Sequence, residues 1–142
     1  MKKRSIAALG LLASAAMLLS SPLGAQDKPE DLATRRAEAW LALVDQGKYE
    51  ESWSEAARLF KGAVTKEKWK EAITAVRPPL GKLLSRKLAS RQLTKTLPGA
   101  PDGDYVVIEF DSSFEGKKKA TETVTPMLDP DGIWRVSGYF IR

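Results

Sequence analysis

The feature that most constrains the fold is a change of hydrophobic period near Ser85. Before it, apolar residues recur at helical steps, in three sets: Ala33, Ala37, Trp40, Leu41 and Val44; Tyr49, Trp53, Ala56, Ala57 and Phe60; Trp69, Ala72, Ile73 and Val76. After it, the chain alternates. Val106, Ile108 and Phe110 fall on one side of a strand, with Tyr105, Val107, Glu109 and Asp111 on the other. Helices first and hairpin-connected strands second predict an α+β domain. Three N-terminal helices should pack on one face of a curved antiparallel sheet of about four strands.

Local signals set the expected boundaries. Asp27 with Glu30 reads as a capping box for the first helix, and Gly47 as its stop. Thr65 reads as the cap of the third helix, and Pro78 with Pro79 as its end, with a further helical turn over 80–84. Strands are expected over 86–97, 105–114, 120–128 and 133–141, separated by "PGAPDGD", "EGKKK" and "DPDG". The last strand, "IWRVSGYFI", alternates Trp134, Val136, Gly138 and Phe140 against Arg135, Ser137 and Tyr139. The first set reads as core and the second as a polar strip.

Lys2, Lys3 and Arg4 followed by the apolar run Ile6 to Leu19 form a secretory signal, shorter than a membrane span and with Ala25 before the cleavage point. Residues 1–25 are therefore set apart as a signal peptide and 26–142 as one α+β domain, exported to the periplasm with no stable membrane insertion after cleavage. With no cysteine, neither disulfides nor lipid attachment at a thiol support it. Its net charge of +5 includes the three signal-peptide cations, so +2 remains and nucleic acid is not an expected partner. The cations that remain are concentrated from Lys61 to Lys95, where only Glu67 and Glu71 oppose them.

Histidine is absent as well as cysteine, which removes thiol nucleophiles, serine–histidine triads and the usual metal sites; no metal or other cofactor is expected. What remains is carboxylate, tyrosine, lysine and arginine chemistry. A proton transfer with Glu109 or Glu122 as base and Tyr139 as donor is the enzymatic alternative, which no motif assigns.

The segments "AWLALVDQGKYEESW", "VRPPLGKLLSRKL", "LPGAPDGDYVVIEF", "ETVTPM" and "DGIWRVSGYFIR" resemble a family of short exported bacterial domains, domain of unknown function 4019. The helix-then-strand order and the closing "WRVSGYFIR" are also similar, at the level of fold, to the nuclear transport factor 2-like superfamily. The first resemblance implies a fold and an exported location without an activity. The second implies a cone of sheet closed by helices; its members include isomerases, dehydratases and non-catalytic binding or dimerisation domains, so homodimerisation is an expectation too. Neither carries a catalytic residue over to this chain.

The expected function is a small-ligand-binding or protein-interaction module, with a structural dimerisation subunit as a further alternative. The ligand surface is expected on the sheet face of Arg135, Tyr139 and Glu109, with Arg86 and Arg91 supplying charge for an anionic group. A protein partner is the other expectation.

Overall fold

The computed structural model describes residues 24–142; the expected signal peptide lies almost wholly outside the described residues. Four helices, α1 (Pro29–Asp45), α2 (Tyr49–Ser54), α3 (Arg58–Ala63) and α4 (Lys66–Leu80), precede four strands, β1 (Leu83–Thr94), β2 (Tyr105–Phe114), β3 (Lys117–Leu128) and β4 (Trp134–Ile141). The strands form one antiparallel sheet in the order β1-β2-β3-β4, a meander with β1 and β4 at its edges.

The helix layer departs from expectation by one break. The second apolar set is two helices, because the chain extends at Ala57, whose N–H is donated to Val136 O of β4 at 2.8 Å. A continued helix would need that N–H for its own ladder. The turn instead pins the helices to the sheet and buries Ala56 and Ala57 completely. At the start of α1 no capping box forms: Lys28 is the capping position, Pro29 opens the helix and Asp27 pairs with Arg35. Thr65 does cap α4, accepting from the Lys68 N–H at 3.2 Å.

No helical turn follows Leu80. Gly81, at φ 71°, turns the chain out of α4, and Lys82 is held from the β2–β3 hairpin by the Glu115 N–H at 3.0 Å. Strand β1 therefore starts three residues earlier than the alternation suggests. Pro78 and Pro79 lie inside the last turn of α4 rather than beyond it.

The apolar stripe of α1 meets the inner face of the sheet. Ala33, Ala37, Trp40, Leu41 and Val44 join Phe60, Trp69 and Ile73 from the other helices and Val106, Ile108, Phe110, Val124, Trp134 and Val136 from the strands in one core. The Trp69 ring stands edge-on to Phe60, 5.0 Å between centroids, and Trp40 lies 5.8 Å from Trp69. The buried indoles are also satisfied: Trp40 donates to Ser52 O at 2.8 Å and Trp69 to Ser52 Oγ at 2.9 Å. Ser52, itself fully buried, thereby joins α1, α2 and α4.

One register irregularity decides which side chains face that core. Thr125 pairs with Gly138 but Pro126 pairs with Val136, so Ser137 is an extra residue in β4. Its hydroxyl donates to Thr125 O at 2.7 Å. Beyond the bulge the faces exchange: Tyr139 turns inward, 5.4 Å from the Trp40 ring, and Phe140 turns out, 53% exposed. The expected strip of Trp134, Val136, Gly138 and Phe140 is thus half right, and Tyr139 replaces Phe140 in the interior.

Candidate functional site

Beneath the C-terminal ends of α1 and α4 lies a cluster of charge that six elements build. Asp45 closes α1, Arg77 sits in the last turn of α4, and Arg86, Ser112, Glu122 and Tyr139 come from β1, β2, β3 and β4. Asp45, Arg77, Ser112 and Glu122 occupy positions that their elements' periods assign to the core, and Tyr139 joins them through the Ser137 bulge. Arg77 follows Trp69 and Ile73 at four-residue steps; Ser112 follows Ile108 and Phe110 at alternate positions; Glu122 lies between Ala120 and Val124.

Arg86 is the hub. Its Nε and Nη2 donate to the two Glu122 oxygens at 2.7 and 3.1 Å, while Nη1 and Nη2 donate to Asp45 at 2.7 and 3.0 Å. A planar guanidinium gripping two carboxylates bidentately is a geometry lysine cannot reproduce. Burial pulls the Arg86 charge down, but its hydrogen bonds with Asp45 and Glu122 outweigh it and hold it above the ordinary arginine value.

Glu122 has no exposed surface at all. Besides Arg86 it accepts from Ser112 Oγ at 2.5 Å and from the Tyr139 hydroxyl at 2.6 Å. Those four donors occupy about all the acceptor directions a carboxylate has. Burial first, and the adjoining Glu122 charge second, push the Tyr139 phenol well above the usual tyrosine value. Arg77 completes the cluster, reaching Asp45 at 3.4 Å and Gly81 O at 2.5 Å with its guanidinium 4.6 Å from the Phe114 ring centre. Two arginines and two carboxylates balance. Asp45 ends a helix, where a carboxylate alone opposes the macrodipole, and both arginines offset it there.

Every lone pair of Glu122 is met by a donor, and the Tyr139 hydroxyl is committed to that carboxylate. In this arrangement the cluster cross-links the sheet to its helices. Its rim, at Asp45 and Arg77, borders an open groove with Tyr49, Gly81 and Lys82 on its walls. Among the described residues no group of three or more carboxylates is placed to hold a metal ion, and no helix is long and apolar enough to cross a membrane.

Of the residues expected at a ligand site, Arg86 and Tyr139 come together here, with Glu122, the candidate base of the enzymatic alternative. The others go elsewhere, which corrects the expectation of one shared sheet face. Tyr139 lies inside because of the Ser137 bulge, whereas Glu109 lies on the outer face of β2, 3.4 Å from Arg142. Arg135 folds back on the β3–β4 turn, donating to Asp129 at 2.9 Å and to Asp131 at 2.9 and 2.8 Å. Those bonds lower the Asp131 carboxyl to about 2. Arg91 reaches across to Asp31 of α1 at 2.7 Å. Asp45 and Ser112 went unremarked in the sequence, and Arg77 stood out only as one of the cations between Lys61 and Lys95, whereas it is buried; a polar residue at a core position of a periodic element is the signal that finds all three.

No curated protein and no solved structure matches the chain. The family described as a protein of unknown function, DUF4019, matches residues 36–139. That span runs from the second turn of α1 to Tyr139 and takes in every member of the charge cluster, so the chain belongs to the DUF4019 family.

Proposed function

We propose that this chain is an exported protein-interaction module that receives an extended, acidic segment of a partner protein along β1. The observation that carries the reading is the free edge of that strand. It runs for 12 residues, pairs with β2 alone and leaves Leu84, Leu88 and Leu93 between 40% and 50% exposed. A free edge offers a row of backbone N–H and C=O groups to any strand of matching chemistry.

Charge selects that chemistry. From Leu83 to Thr94 the strand has no carboxylate; Arg86 and Arg91 are held by Asp45 and Asp31 of α1, and Lys87 is the cation left without an ion pair among the described residues. Pairing β1 with the β1 of a second copy would bring cations against cations, and the bulges near Leu84 and Ala89 disturb the register such a pair needs. An acidic segment meets no such repulsion, and it can seat on the unbulged stretch from Ser90 to Thr94. The expected anionic small ligand fares less well at Arg86, Arg91 and Arg135, because all three already hold carboxylates of this chain. Export to the periplasm rests on the basic and apolar N-terminal run, and the cone of the nuclear transport factor 2-like superfamily remains the finer fold assignment we favour.

The test uses a short synthetic peptide alternating glutamate with valine, beside its lysine-for-glutamate counterpart. Amide hydrogen exchange should slow along β1 with the acidic peptide and not with the basic one, and Lys87→Glu with Leu88→Glu should abolish the effect. Unchanged exchange along β1 at saturating acidic peptide rejects the reading.

A further inference from the structure

We propose that the outer face of the sheet, opposite the helices, binds a phosphate group, in a basin that none of the ring of buried charges touches through its charged atoms. Strand register builds it. Lys87 of β1 pairs with Asp111 of β2, Asp111 with Thr121 of β3, and Thr121 exchanges both backbone hydrogen bonds with Arg142, at 2.9 and 3.0 Å. One transverse row of the sheet thus reads cation, carboxylate, hydroxyl, cation. The "KKK" that leaves the β2–β3 hairpin adds Lys118 and Lys119, and the open basin they border measures about 450 Å³.

Two properties point to a phosphate. The first is uncompensated charge: among the described residues Lys87, Lys118 and Lys119 form no ion pair, and Arg142 has only a 3.4 Å contact with Glu109 at its side. Elsewhere most cations of the sheet are spent, Arg86, Arg91, Lys95 and Arg135 each on a carboxylate. The second is the donor set, since Ser85, Ser113 and Thr121 place hydroxyls among the ammonium groups. Several oxygens at once, with about two negative charges, suit that mixture better than a single carboxylate does.

Asp111 sets a further condition. It is the one carboxylate among the basin's side chains and has no ion pair of its own among the described residues. It repels a bare dianion, and it accepts from a hydroxyl or ammonium carried next to the phosphate. The basin also has more room than a phosphate alone fills. The ligand class is therefore a phosphate ester with a small donor-bearing substituent, whether a soluble phosphorylated metabolite or the headgroup of a phospholipid surface. This site is separate from the β1 edge, with Ser85 and Lys87 the side chains of that strand that line it.

Glycerol phosphate and inorganic phosphate serve as soluble probes, and phosphatidylcholine vesicles with and without phosphatidylglycerol as the surface probe, all at low salt. Glycerol phosphate should perturb the backbone amide resonances of Lys118 to Thr121 saturably. Lys118→Gln with Lys119→Gln should weaken binding about tenfold, while Lys48→Gln with Lys66→Gln, which removes the same charge elsewhere, should change it less than about twofold. Asp111→Asn should tighten inorganic phosphate a few-fold. Response to vesicles alone identifies a lipid source and response to the soluble ester alone a free one, each in support. Failure of both probes to perturb these amides overturns the proposal, as does an equal loss in the distant lysine pair. Because neither Lys118 nor Lys119 belongs to β1, the outcome is independent of the peptide experiment.

Discussion

Arg86 grips Glu122 through two hydrogen bonds of 2.7 and 3.1 Å, joining the outermost strand to a carboxylate that water does not reach. Between them runs β2, which contributes only Ser112 to the contact. The pair therefore bridges two strands that are not neighbours in the sheet, and it carries Asp45 of α1 on its far side. Removing Arg86 leaves Glu122 buried without a counter-ion, which typically costs about 3–5 kcal/mol. Arg86→Ala should lower the urea midpoint accordingly. Arg86→Met combined with Glu122→Leu should recover much of the loss, since no ion is then stranded, and a double-mutant cycle measures the coupling.

The Tyr139 phenol gives the cluster a signature in alkali. Its raised pKa means that the protonated form is favoured in the folded state, so its contribution is complete below the ordinary tyrosine value near 10 and is lost as pH rises toward the folded value. Unfolding free energy should fall above about pH 10. In a spectrophotometric titration one phenol should ionise only as the protein unfolds. Tyr105 is also raised, by burial, and Tyr105→Phe identifies its share. Tyr139→Phe should flatten the alkaline decline while weakening the fold at neutral pH by about 1.5–3 kcal/mol for the lost hydrogen bond to a buried carboxylate.

Much of the architecture was legible because period is a local property. The apolar stripe of α1, the Thr65 cap and the full extent of β2 follow from spacing alone, whereas of the third set only Trp69 and Ile73 are buried and Ala72 and Val76 are exposed. What spacing did not reveal depends on contacts between distant residues. The break at Ala57 exists because β4 claims an N–H, and the early start of β1 exists because Gly81 and Lys82 meet the β2–β3 hairpin. At the candidate site, Arg86, Glu122 and Tyr139 stood out for their chemistry, yet nothing local joined them to Asp45 and Arg77. Their separation in sequence is large, and only the assembled sheet brings them together.

The Ser137 bulge makes a prediction that simple alternation reverses. With Phe140 at 53% exposure and Tyr139 packed on Trp40, Phe140→Thr should shift stability by less than about 0.5 kcal/mol, whereas Tyr139→Ala should cost about 3 kcal/mol or more. Thermal unfolding of the two variants tests the assignment. A large loss for Phe140→Thr beside a small one for Tyr139→Ala would mean that β4 runs without its extra residue.

Two glycines separate close approach from chain flexibility. A Cβ on Gly116 would stand 2.7 Å from Pro79 O and 3.1 Å from Leu80 O, and the Gly116 N–H already donates to Leu80 O at 2.7 Å. The end of α4 and the β2–β3 hairpin thus touch backbone to backbone, and this contact fixes the height at which Arg77 enters the charge cluster. Gly116→Ala must push them apart, at a cost of about 1–3 kcal/mol, and should loosen the Arg77 contact with Asp45 as it does so. Gly62, inside α3, has open space where its Cβ would lie, so Gly62→Ala should stabilise by about 0.4–1 kcal/mol through the unfolded chain alone. Denaturant midpoints moving in opposite directions for the two alanines would bear this out. A Gly116→Ala variant as stable as the parent would show that the hairpin yields without cost, and that α4 is positioned by its buried face instead.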